Sequence, residues 1–82
     1  MGERKLPAID KAETGANIKR LMRMNHISIT QLQLTLGMSS ATNIYKWCRG
    51  ELTPSSDRLV HLSRIFKCRI EDILVIKENG DE

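Results

Sequence analysis

Leu36-Gly37-Met38-Ser39-Ser40-Ala41-Thr42-Asn43-Ile44-Tyr45-Lys46-Trp47-Cys48-Arg49-Gly50 is the stretch whose reading decides how this chain folds. Gly37 and Gly50 each suit the left-handed position that closes a helix, so one helix is predicted to end at the first and another at the second. Ser39 and Ser40 are candidate N-caps for the later helix, which runs to about Arg49. Within it, Ala41, Ile44, Trp47 and Cys48 form an apolar stripe about 120° wide, while Thr42, Asn43, Lys46 and Arg49 take the far side with Tyr45 at the edge. A helix anchored by so narrow a stripe stands proud of its domain with most of its circumference free.

Upstream, residues 27–36 are ambiguous, because Leu32, Leu34 and Leu36 alternate as a half-buried strand would. Parity decides against a strand, since Ile27 and Ile29 are odd-numbered and the leucines even, so no single strand face holds them all. As a helix capped by Ser28, Ile29, Leu32 and Leu36 share a face and only Leu34 is left off it. Before it, Ile18, Leu21, Met22 and Asn25 share a helical face, predicting a first helix capped by Thr14 with Lys19, Arg20 and Arg23 opposite. Plain solvation accounts for those cations as well as a partner does. Downstream, Ser55 or Ser56 caps a fourth helix with Leu59, Leu62, Ile65 and Phe66 inward and Asp57, His61 and Arg64 outward. A short fifth helix is predicted around residues 70–74. The expected organisation is an arm at 1–13, one domain at 14–76 and an acidic tail at 77–82.

The 82 residues, 40% hydrophobic and 28% charged, make one small domain. A domain of this size buries only about 60% of the surface its unfolded chain exposes, which leaves no room for a deep substrate cavity beside the core. Neither a carboxylate pair, a Ser-His-Asp grouping nor a phosphate-cradling glycine loop is present, so no enzyme is expected. Cys48 and Cys68 have no close-spaced second ligand, and with His26 and His61 they make a poor zinc set. Half-buried thiols are expected instead, with no metal or cofactor. Nothing approaches the roughly 18 apolar residues of a membrane span, and the N-terminus lacks a signal peptide's apolar stretch, so a cytoplasmic protein is expected.

Charge is unevenly spread. Residues 14–70 hold nine basic side chains against Glu51 and Asp57, and the tail beyond them is acidic. A cationic body suggests a polyanionic partner. The third helix offers matching chemistry: Asn43 can pair bidentately with adenine, Lys46 and Arg49 can donate to guanine or phosphate, and Thr42 can bond a base or meet a thymine methyl. Ser39 and Ser40 at the helix start suit a phosphate oxygen. No carboxylate lies between Glu13 and Glu51 to repel a duplex.

The order Asn17-Ile18-Lys19-Arg20-Leu21, Leu32, Leu36-Gly37-Met38-Ser39, Ile44-Tyr45-Lys46-Trp47, Arg49-Gly50, Pro54-Ser55, Leu59-Val60-His61-Leu62-Ser63 and Ile70-Glu71-Asp72-Ile73-Leu74 resembles the phage-repressor-like (Xre or Cro type) helix-turn-helix family. The resemblance spans about three quarters of the chain. It implies an all-α, compact five-helix, lambda-repressor-like bundle whose third helix enters the major groove, commonly as a homodimer on a palindromic operator. By the same resemblance Thr42, Asn43 and Lys46 read bases, with Ser39 and Ser40 at the helix start, and Ser28, Thr30 and Arg49 meet phosphates. Three features depart from the pattern. The segment from Gly37 to Trp47 is one residue longer than the commonest family form, Ile29 replaces a frequent Gln, and Lys67 replaces the Gly that often ends helix 4.

The expected function is therefore a sequence-specific double-stranded DNA-binding transcriptional regulator, a repressor because no activation domain is recognisable. Leu74, Val75 and Ile76 are the expected homodimer contact, or else cover the base of the core. The rival is an antitoxin-like protein-interaction module, favoured by the acidic tail and the surplus apolar run at 73–76.

Overall fold

The computed structural model describes residues 6–78. In chain order these form strand β1 (Ala8–Ile9), helices α1 (Lys11–Met24), α2 (Ile29–Thr35), α3 (Thr42–Cys48) and α4 (Ser56–Phe66), one 3-10 turn (Ile70–Asp72) and strand β2 (Ile76–Lys77). Ile18, Leu32, Ile44 and Leu62, one from each helix, meet Ile73 at the centre, all fully buried. Leu21, Met22, Leu36, Trp47, Leu59 and Phe66 complete the core. The helical reading of residues 27–36 holds, and Leu34, left off the inner face, is 71% exposed.

All four helices close in the same way. The N–H of Ile27, Met38, Glu51 and Cys68 donates to the carbonyl five residues back, on Met22, Gln33, Lys46 and Ser63 respectively, at 2.9–3.0 Å. The residue before each donor has a left-handed backbone: His26 (φ 56°), Gly37 (φ 69°), Gly50 (φ 79°) and Lys67 (φ 56°). This is the Schellman closure. Gly50 has a second reason to lack a side chain, since a Cβ there would lie 2.8 Å from Ala12 Cα.

The helix starts differ more from expectation. Ser28 and Gln31 form a reciprocal capping box, Ser28 Oγ accepting from Gln31 N at 3.1 Å and Gln31 Oε1 accepting from Ser28 N at 2.8 Å. Ser55, not Ser56, caps α4 by accepting from Arg58 N at 3.2 Å. Thr14 does not cap α1. Asp10 does, its Oδ1 accepting from Glu13 N at 3.0 Å, so the helix extends back to Lys11 through what reads in the sequence as the arm. Nor does Ser39 or Ser40 occupy the N-cap position of α3, which is Ala41 with no side-chain bond of its own, although Ser40 Oγ accepts a long bond from Thr42 N at 3.4 Å. Residues 36–41 are occupied in turning the chain, with Met38 tucked against the core and its carbonyl held by Gln33 Nε2 at 3.3 Å. The fifth helix is not formed either. Among the described residues the fold has four helices, a single 3-10 turn and a two-stranded antiparallel sheet with Ala8 opposite Lys77 and Ile9 opposite Ile76.

α1 is responsible for that change. Asn17 Nδ2 donates to the carbonyls of Asp72 (2.7 Å) and Ile73 (2.9 Å), acceptors that a continuing helix would need for its next turn. Thr14 Oγ1, buried, accepts from Val75 N at 2.9 Å, and Asp10 N donates to Val75 O at 2.8 Å. The chain leaving the 3-10 turn is thus held against the start of α1 at Val75, directly before β2, which pairs with β1. Together Asp10, Thr14 and Asn17 satisfy backbone groups that would otherwise be orphaned at the end of a one-turn helix.

α1 also sets the position of α3. Gly15 lies directly against the C-terminal turn of α3, where a Cβ would come within 2.3 Å of the Trp47 carbonyl oxygen and 2.7 Å of that of Cys48. The absent side chain is what lets the two helices approach so closely.

Candidate functional site

α3 is held from beneath by Ile44 and Trp47, both buried, and its other residues look outward: Thr42, Asn43, Tyr45 and Arg49 are exposed and Lys46 is half-buried. Nothing among the described residues covers this face. Tyr45, placed at the edge by the sequence pattern, is 48% exposed and stands beside Thr42 and Arg49 on the outer surface.

Of the residues singled out in the sequence, the fold brings one group together. Ser39, Ser40, Thr42 and Asn43 line a shallow polar depression of about 380 Å³ with Gly37, Met38 and Arg58. The Ser40 hydroxyl donates to Thr42 Oγ1 at 3.3 Å and accepts from Thr42 N at 3.4 Å. Lys46 and Arg49 follow along the same helix but lie outside the depression. Ser28 and Thr30 are exposed at the start of α2, Ser28 with its oxygen engaged as the cap.

Arg58 is the residue that sequence reasoning missed. Its Nη1 donates to the Leu36 carbonyl at 2.9 Å and lies 3.5 Å from His61 Nδ1, so the guanidinium reaches from α4 across to the end of α2 and roofs one side of the depression. Apolar periodicity marks Arg58 only as outside the inner stripe of α4. That it bridges twenty-two residues back to the turn is a tertiary fact.

Arg49 differs in availability from its expected role. Its Nε donates to Glu51 Oε2 at 2.5 Å, the carboxylate that follows the helix. The hydrogen bond and then the charge of Arg49, helped by Lys46, hold the Glu51 carboxyl below the ordinary carboxylate range, and the same pairing pushes Arg49 upward. Both groups are largely exposed. The other close ion pair among the described residues is Arg69 with Asp72, so Lys19, Arg20, Arg23, Lys46, Arg58, Arg64 and Lys67 have no carboxylate within ion-pair distance there. The resulting surface is cationic beside α3, and its charge is suited to an extended polyanion. Among the described residues no helix is long and apolar enough to cross a membrane.

The model of the Cro/C1-type helix-turn-helix DNA-binding domain matches residues 17–79. Solved structures that share the fold include the following two. The restriction-modification controller protein C.AhdI from Aeromonas hydrophila superposes with a TM-score of 0.69 at 16% identity, over 78% of this chain and 96% of that one. The DNA-binding domain of BldD superposes with a TM-score of 0.67 at 15% identity, over 80% and 94% respectively. No curated protein matches the chain.

Proposed function

The chain belongs to the Cro/C1-type helix-turn-helix DNA-binding family, and from that premise we propose that it is a sequence-specific, non-enzymatic transcriptional regulator that represses by occupying the major groove with α3. The observation that carries the proposal is the uncovered outer face of α3 on a body where, among the described residues, Lys19, Arg23, Lys46 and Arg58 have no carboxylate within ion-pair distance and Arg49 alone of the cations beside it is paired, with Glu51. A B-DNA major groove about 12 Å wide admits such a helix. Thr42, Asn43 and Lys46 are the proposed base readers, joined by Tyr45. Ser39, Ser40 and Arg58 around the polar depression, Ser28 and Thr30 at the start of α2, and Arg49 are the proposed phosphate contacts. A helix seated in the groove excludes other proteins from that stretch, which is how occupancy of cytoplasmic DNA would silence a promoter.

The proposed active form is a homodimer. Leu74 packs onto the chain's own core and Val75 is half-buried, while Ile76 (50% exposed) with Ile9 opposite it (38%) is the more exposed apolar pair available to a second copy. Two α3 helices would then address half-sites about one helical turn, 34–36 Å, or a multiple apart.

The test is duplex binding from a random-sequence pool over a salt series, followed by sequencing of the retained fraction. With about four to eight phosphate contacts per dimer, the logarithm of affinity should fall against the logarithm of salt with a slope of about −4 to −7. Asn43→Ala should relax the preference at one base pair at a cost of about 1–3 kcal/mol. Weak, salt-insensitive binding would refute the proposal.

A further inference from the structure

A second depression, about 250 Å³ and sharing no residue with the polar one, lies between α1, the start of α2 and the end of α3. Its lining is Met22, Ile27, Ile29 and Cys48, all buried or half-buried, with Ser28 beside them and Lys19 and Arg23 of α1 alongside. The two cations sit one helical turn apart on the same face of α1. No carboxylate lines the depression, and neither cation is in an ion pair among the described residues.

We infer that this depression is a binding site for a small amphiphilic carboxylate of the arylalkanoate class, its ring on the apolar floor and its carboxylate between Lys19 and Arg23. Size bounds the class. The depression is open to solvent, and at about 250 Å³ it falls below the usual range for larger ligands, so it can cradle no more than one ring with a short acidic chain. Charge selects the head group, since a neutral apolar ligand would leave both cations unused, and a nucleic-acid phosphate would leave the apolar floor unused. The site also touches the proposed groove-binding apparatus. Cys48 is the last residue of α3 and Ser28 is a proposed phosphate contact, so an anion held here repels an approaching duplex. That consequence rests on the reading of the previous subsection, whereas the binding site does not.

Cys48 provides a local readout. Burial pushes its thiol up, against the opposing pull of Lys19, so alkylation by iodoacetamide at about pH 8.5 is slow enough to follow by mass spectrometry. In the full chain carrying Cys68→Ser, without DNA, 3-phenylpropanoate should slow Cys48 alkylation saturably. It should do so at concentrations about fivefold or more below those needed of 3-phenylpropan-1-ol, and 3-phenylpropylamine should be weaker still. In Lys19→Gln/Arg23→Gln the advantage of the carboxylate should vanish while the protection by the alcohol persists, and rising salt should weaken the carboxylate alone. Absent protection, equal protection by all three probes, or an undiminished carboxylate advantage in the double variant would overturn the inference. A duplex-binding series with and without 3-phenylpropanoate separates the two readings: protection of Cys48 in a chain that binds no duplex would refute the groove proposal and leave this site standing.

Discussion

Replacing Gly15 by Ala sets two effects of opposite sign against each other. In an exposed helix interior the change stabilises, because Gly is about 0.8–1.0 kcal/mol less favourable than Ala. Here the added Cβ would lie 2.3 Å from the Trp47 carbonyl oxygen, 2.7 Å from the Cys48 carbonyl oxygen and 3.0 Å from the Cys48 carbonyl carbon. A carbon–oxygen contact is comfortable only at about 3.3 Å, so the helices must separate by roughly 1 Å, and the obstructing atoms are backbone that no rotamer change can move. Overpacking of this kind costs about 1–3 kcal/mol, and the upper end applies where backbone must shift. Offset by the propensity gain, the net destabilisation should be about 1–2 kcal/mol, a fall in Tm of roughly 4–16 °C for a domain of this size. Urea unfolding followed by circular dichroism measures it. The exposed neighbour Ala16→Gly, which should cost about 0.5–1 kcal/mol, calibrates the propensity term in the same helix. Because the displaced element is α3, the folded fraction of Gly15→Ala should also bind duplex more weakly. A variant as stable as the parent, or more stable, would refute the claim that contact between α1 and α3 backbones fixes the position of α3.

Lys67 holds a left-handed backbone that costs a non-glycine residue about 1–2 kcal/mol; Lys67→Gly should therefore stabilise by about 0.5–1 kcal/mol after the greater entropy of the unfolded glycine is deducted, and an unchanged or lowered Tm would contradict that. Thr14→Val removes the acceptor of Val75 N–H inside the fold, so it should cost about 1–3 kcal/mol and hasten amide exchange at Val75 and Asp10 before the rest of the chain; uniform exchange would show that the strand pair does not depend on Thr14. Glu51→Gln should free Arg49 for a phosphate and steepen the salt slope by about 1. Since the Glu51 carboxyl is held low, its pairing with Arg49 is complete above the ordinary carboxylate range and is lost only as pH falls through the lowered folded value, so duplex affinity of the parent should gain from Glu51 protonation only below that range. An unaltered salt slope in Glu51→Gln would show that Arg49 is not restrained by its partner.

Apolar spacing alone determined the inner faces of α1, α2, α3 and α4, because a helix must bury one stripe and the stripe is written at 3.6-residue intervals. The outward turn of Thr42, Asn43 and Lys46 is its complement, so these candidate base readers were legible for the same reason that Ile44 and Trp47 were. Gly37 and Gly50 announced two helix ends by chemistry. His26 and Lys67 did not announce theirs, since a residue other than glycine does not signal a left-handed position by its chemistry even where the closing hydrogen bonds require it.

Only the tertiary structure decided the rest. The predicted fifth helix is a local possibility defeated at long range: Asn17 takes its carbonyls, and Thr14 and Asp10 take the backbone of Val75, all from more than fifty residues away. Thr14 has the chemistry of an N-cap, but a better-placed Asp10 leaves it inside the helix with another partner. Arg58 reads as a surface charge until α4 is docked against the α2–α3 turn, and Lys19, Arg23 and Cys48 are unrelated until three elements meet around one depression. Periodicity encodes which face of an element turns inward; which partner that face and its polar neighbours find depends on contacts between residues distant in the chain.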